Sequence, residues 1–413
     1  MVYSALKNFF TALIAVIVLL LGTNTAFSSG FGIFTQDAAA LGKGNAQVAH
    51  GDNPSAIFFN PALLTRLEGT HVRLGTTLIF PERKFTSDLD GGKHTTKNEI
   101  FYPSTFYFSH KASDRLALGL GFFSPFGLGT DWGETWEGRY LATKSEITTY
   151  NFNPSFSFQA TSWLAVGGGV NLLFLDTTLE SKSPVYIGGI QQPDAKQKLE
   201  GDGEGVGYNF GLLIDLPADF SIGASYRSEV SVDVSGDLTV STPDPLPDSK
   251  HRARTTIDLP QVIHAAVSYS GFERLTLEAG LRWEGWSTYR SLEIKTPEGV
   301  QKEKKKWKDT FAFNLGAEYE LSEIWTLRAG YMYGRNPVPD RTFEPSIPDA
   351  DVHLFTLGTG ISYNNFNFDL AYGYQRHESR RKDNQLGEES GQPADGRYES
   401  EIHVLGMSVG YAF

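Results

Sequence analysis

The carboxylates are the residues best able to do chemistry in this chain, and their spacing argues against catalysis. Glu278 and Glu284 share one face of a predicted strand, which separates them by roughly 20 Å at the usual rise per residue. Paired-carboxylate hydrolysis of glycosides needs two groups within about 5–10 Å of each other. GxSxG, HExxH and P-loop signatures are absent from the sequence. We therefore predict no catalytic residues, and a lipase-type barrel with a serine nucleophile is the remaining enzymatic alternative.

The composition also excludes several other classes of protein. There is no cysteine, and the nine histidines lack ligand-like spacing, so we predict no metal and no cofactor. A net charge of −12 argues against a nucleic-acid partner, because phosphate recognition needs a basic face. A mean hydropathy of −0.26 with 20% charged residues excludes a helical membrane protein. By contrast, 13% aromatic residues and 43 glycines are typical of a transmembrane β-barrel.

A cluster of candidate binding residues follows the third predicted strand. Its large apolar side chains are Phe122, Phe123, Phe126, Trp132, Trp136 and Tyr140. So many apolar groups on a predicted loop call for an explanation. We interpret them as an external groove that captures a hydrophobic ligand. The alternative is a loop folded onto its neighbours to seal the barrel mouth.

The elements that position these residues are predicted from period-two alternation, which begins after Gly69 and yields about fourteen strands, the first of them near Thr70 to Pro81. Short links such as Asn364-Asn365 alternate with long ones, such as 124–144 and 182–203, as in outer-membrane barrels. Along each strand, charges and glycines share the face opposite the apolar one, which indicates lipid outside and a polar lumen. We therefore predict an all-β fold, a transmembrane antiparallel β-barrel of about 14 strands, in residues 69–413.

Charged side chains are predicted to point into the lumen by the same alternation. They are Asp215, Arg227, Glu229, Glu278, Arg282, Glu284, Glu318, Arg328 and Asp369. Charges in a low-dielectric setting are costly unless they are paired, so the mixed signs predict networks that grip a plug. Asp37, Lys43 and Arg66 are the expected partners on that plug.

The plug itself is predicted in residues 29–68, after a signal peptide in residues 1–28. The apolar run Phe9–Leu21 is short for a membrane span, and Ala26-Phe27-Ser28 suits signal cleavage, although an uncleaved anchor is the alternative. The next segment is rich in Ala and Gly, and it places capping residues before prolines at Asn53-Pro54 and Asn60-Pro61. This pattern predicts short helical turns.

This plug segment resembles the N-terminal hatch of FadL-type outer-membrane transporters for long-chain fatty acids and other hydrophobic compounds. The resemblance is carried by GFGIFTQDAAALGKGNA and by DNPSAIFFNPALLTRL, which contains the motif Asn60-Pro61-Ala62. Further matching segments follow in family order at 226–230, 307–309, 337–340, 346–349 and 410–413. The resemblance therefore covers essentially the whole mature chain. It implies a monomer in the bacterial outer membrane that takes up hydrophobic small molecules passively.

The resemblance also implies a ligand site. Phe31, Ile33 and Phe34 of the hatch are expected to line an internal apolar pocket. Lys308 resembles a lysine that the family uses near the ligand carboxylate. On our alignment Asp176 stands where the family has an inward arginine, which leaves both fatty acids and neutral hydrocarbons as ligands.

A lateral gate is implied at Ser124-Pro125-Phe126-Gly127, which continues the third strand. Proline has no N–H to donate, and prolines and glycines inside strands mark bulges or breaks. In the FadL family the corresponding strand is kinked and opens a gap through which ligand passes sideways into the membrane. Pro125 and Gly127 are the expected gate residues. The alternative is that the strand has ended and Pro125 starts the loop.

Two other functions remain open at this stage, a general porin and a structural or adhesion barrel. A porin would conduct ions, whereas a plugged transporter would be nearly closed. The acidic last loop, Asp383–Asp395, would suit adhesion. The basic run Lys302–Lys308 is expected at the barrel rim, where it meets lipopolysaccharide phosphates beside outer-membrane lipid.

Overall fold

The computed structural model describes residues 30–413, so the predicted signal peptide and Ser29 lie outside the described residues. These residues form a closed antiparallel β-barrel of 14 strands around an N-terminal hatch, as predicted. The last of the 14 barrel strands pairs with the first through a ladder from His71↔Ala412 to Ser87↔Gly396, and this pairing closes the barrel. No helix among residues 30–413 is long and apolar enough to cross a membrane.

The hatch contains two short helices, α1 (Ala38–Gly42) and α2 (Ala56–Phe59), and a 3₁₀ helix at Pro61–Arg66. The first strands are β1 (Thr70–Ser87), β2 (Lys93–Thr95), β3 (Ser104–Ser113), β4 (Leu116–Phe123), β5 (Gly127–Asp131), β6 (Lys144–Thr161), β7 (Leu164–Ile187), β8 (Ile190–Leu216), β9 (Phe220–Arg227), β10 (Val230–Ser241) and β11 (Ser249–Leu259). They are followed by β12 (Val262–Phe272), β13 (Leu275–Glu284), β14 (Ser291–Thr296), β15 (Gly299–Lys304), β16 (Thr310–Glu320), β17 (Trp325–Gly334), β18 (Val352–Tyr363), β19 (Phe366–His377), β20 (Arg380–Lys382) and β21 (Gly396–Ala412). Further 3₁₀ turns lie at Glu137–Tyr140, Trp286–Thr288, Asp340–Thr342 and Glu388–Ser390.

Six barrel strands are split into two segments, and β2 is a further short segment that pairs with β1, so 21 segments build 14 barrel strands. The split ones are β4 with β5, β9 with β10, β11 with β12, β13 with β14, β15 with β16 and β19 with β20. We call the end with the short links the turn end and the opposite end the loop end. The long loop expected between Lys182 and Gly203 is instead strand, because β7 and β8 run on to a two-residue turn. Gly188 and Gly189 both have positive φ there, which side-chain-bearing residues rarely adopt.

The predicted faces hold along most strands, with two corrections. Glu229 is exposed on the outer face, because the break at Ser228-Glu229 between β9 and β10 shifts the alternation by one residue. Asp176 is also exposed, whereas its neighbours Leu175 and Thr177 are buried inside the barrel. Asp176 therefore does not occupy an inward position, and it cannot stand in for an inward arginine.

The hatch folds as the capping residues predict. Asp37 caps α1 by accepting from the amides of Ala39 (3.0 Å) and Ala40 (3.2 Å). Asn60 caps the 3₁₀ helix by accepting from the amide of Ala62 (3.1 Å), and Pro61 occupies the first helical position, where no N–H is needed. The apolar hatch side chains pack against inward residues of the wall to form a core toward the turn end. This core includes Ile57, Phe58, Phe59, Leu63, Leu64, Tyr107, Phe123 and Leu213.

Candidate functional site

A cavity of about 820 Å³ lies at the loop-end side of the hatch. Its apolar lining includes three hatch side chains and, among others, three from the neighbouring wall: Phe31, Ile33, Phe34, Phe126, Leu128 and Ile147. The volume falls in the range of roughly 300–1,000 Å³ that is typical of small-molecule sites. The cavity can therefore hold one long hydrophobic molecule.

The wall beside this cavity has a gap. β4 pairs with both β3 and β6, but among the described strands β5 pairs in register only with β6. The preceding barrel strand, β3, begins only at Ser104, and the chain before it bridges to β1 through Phe101↔Ile79. A stretch of β5 is therefore left without a neighbour on one side, and we call this opening the wall gap.

The cavity extends through the wall gap to the outer face of the barrel. Tyr102 lines the cavity and is 69% exposed, and Phe122 and Tyr150, which also line it, are exposed on the same face. The lining thus runs from the hatch to the lipid-facing surface. Barrel strand 3 is interrupted at Ser124–Phe126, at the predicted position, and it resumes as β5, so the strand does not simply end at Pro125.

The first residues of the hatch cover this interruption from inside. The Ile33 amide donates to the Pro125 carbonyl (2.8 Å), and the Gly127 amide donates to the Phe31 carbonyl (2.9 Å). The Gln36 side-chain amide also donates to the Ser124 carbonyl (2.6 Å). The hatch thus supplies backbone partners where the barrel strand breaks, and these bonds do not involve the N–H that Pro125 lacks.

The remainder of the hatch is held by buried ion pairs, as its charges predict. Arg73 pairs with Asp37 of the hatch and with Asp369 of the wall (2.7 Å). Asp369 also pairs with Arg328 (2.6 Å), and Arg328 pairs with Glu318 (2.5 Å). Glu318 in turn pairs with Lys43 of the hatch (3.5 Å). A separate ion pair joins Arg66 of the hatch to Asp215 of the wall. All three predicted hatch residues therefore have a wall partner.

The predicted lumen carboxylates are also used structurally. Glu278 accepts from three consecutive hatch amides, those of Val48 (2.7 Å), Ala49 (3.1 Å) and His50 (2.8 Å). Glu284 accepts from Arg282 (2.6 Å) and from the Trp286 indole (2.7 Å). Both carboxylates are thus engaged in hydrogen bonds that hold the hatch or the wall. Among residues 30–413, no group of three or more metal-ligating side chains is placed to hold a metal ion.

The structure brings together some of the predicted ligand residues and separates others. Phe31, Ile33, Phe34, Phe122 and Phe126 all line the cavity. Phe123 instead points under the hatch, where its ring lies 5.2 Å from that of Phe58. The sequence analysis missed an aromatic cage around Phe31, formed by Trp286 (4.7 Å between ring centroids), Trp307 (5.7 Å) and Tyr289 (6.0 Å).

The predicted open groove is wrong for Trp132, Trp136 and Tyr140. Trp136 is 1% exposed, and its ring packs against Trp132 (4.7 Å) and Phe85 (5.5 Å). The Tyr140 hydroxyl donates to Asp194 (2.8 Å). The loop therefore folds onto its neighbours and seals the loop end, which was the alternative interpretation. Local sequence could not show this, because the partners Phe85 and Asp194 lie far away along the chain.

Lys308 does not line the cavity either, because it is exposed. Residues 305–309 are not strand, so strand alternation does not turn Lys308 toward the lumen. Lys305 is the buried lysine of this run, and it bonds Glu303 (2.8 Å) and Glu344. Burial by itself would lower the pKa of Lys305, but the two glutamates outweigh it and raise that pKa well above its ordinary value.

One side of the cavity is polar, and the sequence analysis did not find it. Arg83, His377 and Ser400 line this side, together with Asp349 from the loop before β18. Burial raises the pKa of Asp349 to about 7, although its carboxylate accepts from the amides of Gly30 (3.2 Å) and Ala350 (3.0 Å). The first strand was predicted to end at Pro81, and so Arg83 was not assigned to a face.

Residues 19–413 match the family model described as outer membrane protein transport protein (OMPP1/FadL/TodX). A long-chain fatty acid transport protein of Escherichia coli is 26% identical over 400 residues, covering 86% of this chain and 88% of that one. A Pseudomonas aeruginosa FadL homologue has a TM-score of 0.82 at 22% identity, covering 93% of this chain and 100% of that one. The toluene transporter TodX of Pseudomonas putida gives 0.75 at 18%, covering 94% and 99%. These two structural likenesses show a shared fold.

Proposed function

The chain belongs to the OMPP1/FadL/TodX family and is a transporter of hydrophobic compounds in the bacterial outer membrane, and we propose that its ligand leaves sideways through the wall gap. Long-chain fatty acids and hydrocarbons are the proposed ligands, as in the named relatives. The ligand rests in the cavity beside the anchored part of the hatch and moves from there into the membrane by diffusion. Members of the family are transport channels, which fits the structural use of the lumen carboxylates.

The continuity of the cavity carries this proposal. Phe31 and Phe34 of the hatch line the same cavity as Tyr102 and Tyr150 on the outer face. Because the outer face of the barrel contacts lipid, an apolar molecule on this path need not enter water. A porin-like path straight through the lumen would instead have to displace the hatch.

The energetic cost of opening each route also favours the lateral one. A straight route breaks buried ion pairs such as Arg73–Asp37, each of which costs roughly 3–5 kcal/mol when one partner is left alone. The lateral route disturbs the two backbone hydrogen bonds that join residues 31–33 to the interruption, each worth about 0.5–1.5 kcal/mol net. The lateral route is therefore the less costly of the two.

The test combines Pro125→Val with Gly127→Val, in cells that lack their own transporter for the probe. The first change restores an N–H for strand pairing, and the second adds a side chain that points at Ile33, whose Cδ1 lies 2.6 Å from the new Cβ. We expect loss of uptake of labelled fatty acid or toluene, with ligand binding in detergent retained. Pro154→Val is the matched control, because Pro154 lies on the outer face of the uninterrupted strand β6.

A reversible version uses the absence of cysteine from the chain. Cysteines at Ser104 and Ser124 continue the register of Phe106↔Phe122, so a disulfide between them would link the two sides of the wall gap. Oxidation should stop uptake and reduction should restore it. Normal uptake by the double valine variant and by the oxidised cross-linked protein would overturn the lateral exit.

We also propose that the barrel works as a monomer whose loop end contacts lipopolysaccharide. The β1–β21 ladder closes the sheet within one chain, so no strand edge requires a second copy. Lys304 and Lys306 are exposed near the loop end, where they can meet phosphate groups. Light scattering in detergent tests the first statement, and loss of co-purified lipopolysaccharide from a Lys304→Gln, Lys306→Gln variant tests the second.

A further inference from the structure

Two basic side chains reach β5 from the opposite side of the wall gap. Lys97 pairs with Asp131 at the end of β5 (2.8 Å), and Arg83 on β1 donates from Nη1 to the carbonyl of Gly129 within β5 (2.7 Å). The ring of Phe101 packs directly against Gly129, because a Cβ on Gly129 would lie only 1.9 Å from the Phe101 ring. Gly129 therefore receives one polar and one apolar contact from the opposite side of the wall gap.

Ser400 Oγ, beside Arg83, has no hydrogen-bond partner among the described residues, although Ser400 is only 6% exposed. His377 lies next to it, with a side chain that is 9% exposed. Arg83 and Ser400 are directly opposite each other on β1 and β21, and the register Arg376↔Glu401 continues to His377 and Ser400. The three side chains form one row that faces the cavity. Buried polar atoms nearly always have a partner, so this row points to a ligand.

The charge of this row is positive and incompletely balanced. Arg83 has no ion pair among residues 30–413, and its one hydrogen bond goes to a neutral carbonyl. Asp349 is the carboxylate whose charge acts on Arg83, but it is engaged with the amides of Gly30 and Ala350. His377 Nδ1 lies 3.8 Å from Asp349. A guanidinium binds a carboxylate through two charge-assisted hydrogen bonds, which are stronger than a bond to a carbonyl.

We propose that Arg83 is a latch on the wall gap and that the carboxylate of an amphiphilic ligand releases it. The anionic head group binds Arg83, with Ser400 and His377 completing the site, and draws the guanidinium away from the Gly129 carbonyl. The alkyl chain lies along the apolar side of the cavity. This inference rests on the proposed lateral exit, and it adds that carboxylic acids open their own path whereas neutral analogues of the same length do not.

The test compares labelled palmitic acid with its methyl ester, which has the same chain and no charge. Cells without their own transporter carry the wild type, Arg83→Gln, Arg83→Lys or the control Arg381→Gln. Arg381 pairs with Asp88 at the loop end and does not line the cavity. We expect the wild type and the control to take up the acid about tenfold faster than the ester, a ratio equivalent to about 1.4 kcal/mol.

Arg83→Gln should bring the two uptake rates within about twofold of each other by speeding the ester and slowing the acid. Arg83→Lys should keep part of the preference, because it retains the charge without the bidentate geometry. Binding in detergent, followed by the fluorescence of Trp286 and Trp307 beside Phe31, should weaken for palmitate and not for the ester in Arg83→Gln. Heat-modifiable gel mobility checks that each variant is a folded barrel.

The outcomes separate the two proposals. An unchanged acid-to-ester ratio in Arg83→Gln, or a wild type without preference for the acid, overturns the latch while leaving uptake of hydrophobic compounds intact. If cells with the wild type take up neither probe faster than cells without the protein, the proposed transport of these ligands fails and the latch fails with it.

Discussion

The hatch is attached to the barrel in two different ways along its length. Residues 37–66, the anchored hatch, are held by Arg73, Glu318, Asp215 and the three-amide contact with Glu278. Residues 30–36, the gap segment, are held by a few backbone hydrogen bonds to the interruption and by apolar packing in the cavity. The difference indicates that the lumen is shut by the anchored hatch and that the gap segment is the part able to move.

The charged groups of the two regions differ as well. Around the anchored hatch, the buried charges Arg73, Asp369 and Arg328 pair with one another. Around the cavity, Arg83 has no ion pair among residues 30–413, and its hydrogen bond goes to the neutral Gly129 carbonyl. Paired buried charges rigidify a structure, whereas a charge without an ion pair is available to a ligand of opposite charge. The anchored hatch is therefore held in place, and the cavity offers a cation to a ligand.

The largest effect is expected from removing the whole hatch. A chain without residues 29–68 should still assemble, because the hydrogen bonds of the wall lie between its own strands. Its lumen should then conduct ions freely in planar bilayers, whereas the complete protein should be nearly closed. Heat-modifiable mobility confirms assembly. If the deletion variant assembles and shows no added conductance, residues 29–68 do not plug the lumen, and the difference between the anchored hatch and the gap segment loses its meaning.

The next effect concerns one anchor. Arg73→Met leaves Asp37 and Asp369 buried without their common partner, and we expect a loss of about 3–5 kcal/mol in the free energy of unfolding. Lys84→Met is the matched control on the same strand, because the Lys84–Glu82 pair is half exposed and should contribute at most about 1 kcal/mol. Urea unfolding in detergent measures both. Equal losses would show that the anchored hatch does not depend on its buried charges.

A pH-dependent effect should arise where Asp349 holds Gly30, the first described residue of the gap segment. Burial raises the pKa of Asp349 to about 7, above an unfolded value of about 3.9. The folded state therefore binds this proton more tightly, and stability falls as pH rises from about 4 to about 7 and then levels off. Between pH 5 and 8 the free energy of unfolding of the wild type, measured with urea in detergent, should fall by about 2–3 kcal/mol more than that of Asp349→Asn.

The control for this prediction is the same pH series on Asp351→Asn. Asp351 lies at the end of the same loop, but it is paired with Arg335 (2.8 Å) and is less buried. The other titrating groups are shared by the wild type and Asp349→Asn and cancel in the difference between them. Asp351→Asn also removes a charge that helps to raise the pKa of Asp349, but burial is the main cause and remains, so most of the fall in stability should persist. Parallel curves for the wild type and Asp349→Asn would contradict a raised pKa at Asp349.

The anchored hatch was more predictable from sequence than the cavity, for a physical reason. Alternation places a charge on a face, and a buried charge must find a partner, so Asp37, Lys43 and Arg66 could be paired with the wall in advance. The same rule failed at Glu229 because a break of the strand resets the alternation. Such a break depends on the neighbouring strands and has no strong local signal.

The cavity depends on contacts between distant parts of the chain, which order along the sequence does not reveal. Trp136 was recognised as a large apolar group that needs a partner, but Phe85 was not identifiable as that partner. Arg83 was missed because its strand continues beyond the predicted end, to Ser87. By contrast, Pro125 gave the interruption correctly, since a missing N–H is a local property of one residue.

The smallest expected effect separates the two regions most cleanly, because it adds the same methyl group to each. In Gly330→Ala the new Cβ would lie 2.1 Å from the Gly44 amide nitrogen and the Lys43 carbonyl carbon, which are backbone atoms of the anchored hatch. In Gly127→Ala the new Cβ would lie 2.6 Å from Ile33 Cδ1, the far end of a flexible side chain in the gap segment. Backbone held by ion pairs cannot yield, whereas a side-chain end can rotate away. We therefore expect Gly330→Ala to lower the free energy of unfolding by about 1–3 kcal/mol and to raise ion conductance. Gly127→Ala should lower the free energy of unfolding by less than about 1 kcal/mol and leave the conductance unchanged. Urea unfolding in detergent and planar-bilayer recordings measure the two quantities. Equal losses of stability in Gly330→Ala and Gly127→Ala would show that the anchored hatch and the gap segment are equally rigid, and would contradict the distinction between them.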